Sequence, residues 1–155
     1  MTSRMPSSRR IRIVLRILLI LAVCSVGQAE PAPTLVVIVN PTIGVQHLSR
    51  REVLDIFLGR YRTFPSGSSA LPIDLDVSSN ERKQFYQLLA HKEPADMGSY
   101  WARLTFSGKI SPPFAVMDAR MAIDIVANNP NAIAYVDRST VESDRRVRIA
   151  LEITP

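Results

Sequence analysis

Thr34-Leu35-Val36-Val37-Ile38-Val39-Asn40-Pro41 sets the fold class. A short apolar run with no polar residue alternating through it reads as a strand covered on both faces. Asn40-Pro41 ends it, because proline offers no N–H and pushes the residue before it out of helical geometry. A strand buried on both sides needs helices above and below its sheet. The sequence that follows supplies the first of them. Thr42 to Leu48 is a loop, and Ser49 with Glu52 has the spacing of a capping box. The helix it opens puts Val53, Leu54, Phe57 and Leu58 on one face and stops at Gly59.

The same alternation continues along the chain. Arg60 to Ala70 is loop-like, with Pro65 and Gly67. Leu71, Ile73, Leu75 and Val77 alternate with Pro72, Asp74 and Asp76, which predicts a half-buried strand, placed near a sheet edge by its proline. Ser78 and Glu81 have capping-box spacing before a helix carrying Phe85, Leu88 and Leu89. Pro94 starts a third helix through Tyr100, Trp101 and Leu104, closed by Ser107-Gly108. After the turn Ser111-Pro112-Pro113 comes a short strand, Ala115 to Met117. Asp118 then caps a helix with Ala119, Ala122, Ile123 and Val126 inward. Ala132 to Val136 reads as a buried strand and Val147 to Ile153 as a terminal one. Strands alternating with helices predict an α/β domain with a mixed sheet.

The chain has 155 residues, with 46% hydrophobic and 21% charged, which suits one globular domain and excludes a disordered or collagen-like chain. Its net charge of +5 belongs to the leader. Arg4, Arg9, Arg10, Arg12 and Arg16 precede an apolar run from Ile17 to Val26, and Gly27-Gln28-Ala29 offers small residues for cleavage. Residues 1–29 thus read as a signal peptide and residues 30–155 as the mature domain, exported to the periplasm. With the leader removed, basic and acidic residues balance, so charge gives no case for nucleic acid. Membrane contact is then confined to the signal segment. A lipid anchor at Cys24 is disfavoured, because Val23 fits poorly where such a site takes Gly, Ala or Ser. Residues 30–155 hold no cysteine, which excludes disulfides, thiolate metal sites and a cysteine nucleophile.

Several stretches, in order, resemble the periplasmic phosphate-binding proteins of ABC transporters. They are Val36-Val37-Ile38-Val39-Asn40-Pro41, Leu48-Ser49 into Val53 to Arg60, Phe106-Ser107-Gly108-Lys109 with Pro112-Pro113, and Asn129 to Val136. Such proteins have two α/β lobes that close on the ligand, and the portion resembled here is one lobe. The resemblance implies a periplasmic-binding-protein type II-like lobe with a mixed sheet of about five strands flanked by helices. It also implies a non-enzymatic solute-binding protein for phosphate or another small oxyanion, working with an ABC permease and needing no cofactor. A homodimer is one way to supply the contacts of the absent lobe.

In that family a Ser-Gly-Thr turn at a helix start holds phosphate, with an Arg upstream on the strand. Aligned on Phe85, the turn falls on Ser79-Asn80-Glu81 and the Arg position on Leu75. A helix start offers free N–H groups and a positive dipole end, which suit an oxyanion. Ser78, Ser79, Asn80 and Arg82 are therefore the expected ligand-binding residues, with Arg82 as the replacement cation. Glu81 works against them. A carboxylate about 4 Å from an anion costs about 4 kcal/mol at an effective dielectric near 20, which matches the whole binding energy of a millimolar ligand. The alternative function is an envelope protein-interaction module that kept the lobe and lost the ligand.

Other candidates read as structure. His47 in a loop and His91 at a helix end are surface histidines, without the convergent partners of a metal site. A hydrolase triad lacks its Gly-x-Ser-x-Gly elbow. Tyr100, Trp101 and Phe106 serve best to pack a helix on the sheet, and Arg145-Arg146-x-Arg148 suits a solvated turn and strand edge.

Overall fold

The computed structural model describes residues 34–108 and 110–154. The expected signal peptide, its cleavage site and Cys24 lie outside the described residues. Among those described, no helix is long and apolar enough to cross a membrane.

Five strands form one mixed sheet in the order β3-β2-β4-β1-β5. They are β1 (Leu35–Val39), β2 (Leu71–Leu75), β3 (Phe114–Val116), β4 (Ala132–Asp137) and β5 (Arg148–Ile153). β2 runs parallel to both β3 and β4, whereas β1 is antiparallel to both β4 and β5. The helices are α1 (Arg50–Phe57), α2 (Asn80–Ala90), α3 (Pro94–Phe106), α4 (Ala119–Asn128) and the short α5 (Arg138–Val141), with a 3-10 turn at Pro41–Ile43. Every residue of β1 is fully buried, as its unbroken apolar run requires. Each such side chain contributes about 1.5–3 kcal/mol relative to exposure.

Local chemistry explains most boundaries. The Ser49–Glu52 capping box forms: the Glu52 carboxylate accepts from the Ser49 amide at 2.7 Å, and Ser49 Oγ accepts from the Glu52 amide at 3.2 Å. Gly59 follows α1 in left-handed geometry, with φ of +69°. Asp118 caps α4 by accepting from the Met121 amide at 2.9 Å. Asn40 ties the end of β1 to α4, donating to the carbonyls of Val126 and Ala127 at 2.9 Å each.

Expectations about two elements are corrected, and a third element is added. β2 lies second from the edge and, past the exposed Leu71, is buried on both faces. Its proline is accommodated by register. Leu71 donates toward β4, to the carbonyl of Asn131 at 2.8 Å, so alternation turns the Pro72 nitrogen toward β3. Pairing with β3 begins only at Ile73. The second correction is the cap of α2, which is Ser79, with no Ser78–Glu81 box. The third is α5, which was not foreseen. Asp137 caps it by accepting from the Ser139 amide at 2.8 Å.

The aromatic residues divide. Trp101 is buried, and Tyr100 packs edge-on against it at 5.1 Å while donating to the Leu58 carbonyl at 2.7 Å. Phe106 is 96% exposed and packs nothing onto the sheet. The core's own aromatic stack is elsewhere: Phe85 lies flat on Tyr135 at 3.8 Å, with Phe57 edge-on at 4.8 Å.

Candidate functional site: the start of α2

The residues expected to bind ligand sit where β2 hands over to α2. Asp76 organises the turn between them. Its carboxylate accepts from the Ser78 amide at 2.9 Å and from the Ser78 hydroxyl at 2.6 Å, and these bonds hold its pKa below the ordinary carboxylate value. The Asp76 carbonyl accepts from the Ser79 amide at 3.0 Å. Ser79 then caps the helix, its Oγ accepting from the Arg82 amide at 3.0 Å and its carbonyl from the Lys83 amide at 3.3 Å. Two first-turn amides, those of Asn80 and Glu81, have no acceptor among the described residues. Ser78 and Asn80 are exposed, while Ser79, Glu81 and Arg82 are half-buried.

Arg82 is not a free cation. Its Nε donates to Asp74 Oδ2 at 3.0 Å, its guanidinium lies 5.3 Å from the centre of the Tyr86 ring, and its side chain is 12% exposed. Burial disfavours its charged form, but the Asp74 carboxylate outweighs burial and raises the Arg82 pKa above its ordinary value. Asp74, read from alternation as facing solvent, is buried instead. It also accepts from the Tyr86 hydroxyl at 3.0 Å and from the Tyr135 hydroxyl. Burial first, and then the Asp74 charge, push both tyrosines well above their ordinary pKa.

The structure therefore brings Ser79 and Arg82 together through the cap, sets Asn80 beside them with a free amide, and turns the Ser78 hydroxyl onto Asp76. Sequence reasoning missed the trio Asp74, Tyr86 and Tyr135. A signal was present: Arg82 and Tyr86 stand at i and i+4, one donor above another on a single helix face, opposite an acid within an apolar strand. What the arrangement offers chemically is a set of donors at a helix start. The described residues contain no group of three or more His, Cys, Asp or Glu able to hold a metal. His47 and His91 are both exposed, as their positions suggested.

No protein-family model matches the chain, and no curated protein matches it in sequence. Solved structures do match in fold. An ABC-type phosphate transport receptor from Vibrio cholerae superposes with a TM-score of 0.59 at 18% identity, over 76% of this chain and 46% of the receptor. A substrate-binding protein of the phosphate ABC transporter type from Clostridium perfringens, solved with bound phosphate, gives 0.59 at 16% identity, over 76% and 45%. PstS from Borrelia burgdorferi gives 0.55 at 13% identity, over 76% and 47%. The chain thus spans about half the length of the proteins it matches, and these neighbours are transport binding proteins rather than enzymes. Its mixed five-stranded sheet with flanking helices is the fold of a single lobe of phosphate-transport receptors.

Proposed function

We propose that this chain is an exported, solute-binding-protein-like domain that binds a small oxyanion such as phosphate reversibly, without chemistry, at the start of α2. Ser78, Ser79, Asn80 and Arg82 form the site, and an ABC permease or an envelope protein is its downstream partner. The observation that carries this reading is the pair of unsatisfied amides on Asn80 and Glu81, at the positive end of an eleven-residue helix. The fold shared with phosphate receptors supports it. Arg82 reinforces the site only through what Asp74 leaves it: its Nε is engaged, and its two Nη groups have no acceptor among the described residues.

The alternative, a protein-interaction module without ligand, draws on the same pair. Asp74 cancels the Arg82 charge, and Asp76 and Glu81 add negative charge nearby. Calorimetric titration of the purified chain with phosphate, sulfate and small carboxylates separates the two. Binding predicts saturable heat that disappears in Asn80→Asp. That change adds an acid in the first helical turn, where it favours the helix by about 0.3–1 kcal/mol but repels an oxyanion. Melting temperature should therefore hold or rise while binding is lost. No heat from the unmodified chain at millimolar ligand sinks the solute-binding reading.

A further inference from the structure

We infer that the buried end of β2 is a carboxylate-binding pocket, which the chain fills with a side chain of its own, Asp74. An acid inside an apolar strand is ordinarily worse than an apolar residue of the same shape, because leaving water costs several kcal/mol per ion. Here each carboxylate oxygen meets two donors. Oδ1 accepts from the Leu75 amide at 3.0 Å and from the Tyr135 hydroxyl. Oδ2 accepts from Arg82 Nε at 3.0 Å and from the Tyr86 hydroxyl at 3.0 Å. The donors come from β2, α2 and β4, so the pocket exists only once three elements have packed. Asp74, Tyr86 and Tyr135 are 3%, 2% and 0% exposed. Two hydroxyls and a guanidinium converging on a lone acceptor group are what a receptor arranges around a free carboxylate.

The ligand class follows from geometry and charge. Four donors around two oxygens fit a planar carboxylate, and one guanidinium balances one negative charge. Shortening Asp74 to alanine removes the carboxyl group and leaves the donors around a space the size of formate. The inference shares Arg82 with the proposed site but uses none of the amides at the start of α2, so it does not depend on the proposed function.

Thermal unfolding of the full chain and of Asp74→Ala, in sodium formate, propionate or chloride at equal ionic strength, tests it. Asp74→Ala should melt well below the unmodified chain in chloride. Formate should raise its melting temperature with concentration, as mass action requires of a ligand that binds only the folded state. The bulkier propionate should not. The unmodified chain and Asp74→Asn, whose pockets are full, should show a clearly smaller rise in formate than Asp74→Ala. Adding Tyr86→Phe to Asp74→Ala should weaken apparent formate affinity by about tenfold, the effect of losing one hydrogen bond to a charged group. If Asp74→Ala is unfolded in chloride, refolding from urea into formate should recover its far-ultraviolet dichroism. A folded variant indifferent to formate, a variant that stays unfolded in formate, or an equal response from the unmodified chain would each overturn the inference.

Discussion

Tyr86 and Tyr135 both donate to one buried carboxylate, so ionising either places a second negative charge beside the first. Their folded pKa values are raised well above the ordinary 10, chiefly by burial and then by Asp74. For a group with a raised folded pKa, the stabilising contribution is complete below the unfolded value. It is lost as pH climbs from there toward the folded value. We therefore expect stability to fall above about pH 10, where the unfolded tyrosines ionise. In an absorbance titration, two of the four tyrosines should stay silent until circular dichroism reports unfolding. Smooth ionisation of all four in a still-folded chain would contradict the buried hydroxyl bonds. The same residues explain why Arg82 is an ambiguous ligand group. It is fixed by Asp74 at 3.0 Å, which settles its position and also neutralises its charge.

At the scale of elements, the turn after α1 shows how tightly α3 is seated. A Cβ on Gly59 would lie 3.2 Å from Cη2 of Trp101 and 2.8 Å from Cδ1 of Ile110, on a backbone with φ of +69°. Ile110 can swing its terminal carbon aside, but the indole is held by its own packing and the left-handed backbone is strained for alanine. Gly59→Ala is expected to destabilise the chain by about 1–3 kcal/mol, read as a lower urea midpoint with unchanged slope. Such elements were legible in the sequence because their signals are local. The Ser49–Glu52 box, Gly59, Asp118 and the unbroken apolar run of β1 each carry their own physics. β2 was misread because alternation assumes one wet face, and Asp74 looked like that face. Only Arg82, Tyr86 and Tyr135, eight to sixty-one residues away, make its burial tolerable. That Ser79, Asn80 and Arg82 lie at a helix start was legible, and the pairing of Arg82 with Asp74 was not. The cap moved one residue, from Ser78 to Ser79, because Asp76 competes for the Ser78 hydroxyl.

Across the whole molecule, β1 is the seam. It lies between β4 and β5, antiparallel to both, and all its side chains are buried. Ending the chain after Val147 would delete β5 and leave one side of a fully apolar strand without hydrogen-bond partners. Such a chain is expected to lose its cooperative thermal transition and to be cut rapidly by protease. Retention of a sharp transition would show that β5 is dispensable. During synthesis the same seam imposes an order of events. Of the described strands β1 leaves the ribosome first, yet neither of its neighbours exists until residues 132–153 have been made. A nascent chain therefore cannot close this sheet early, and its interior apolar strand waits unpaired through most of synthesis.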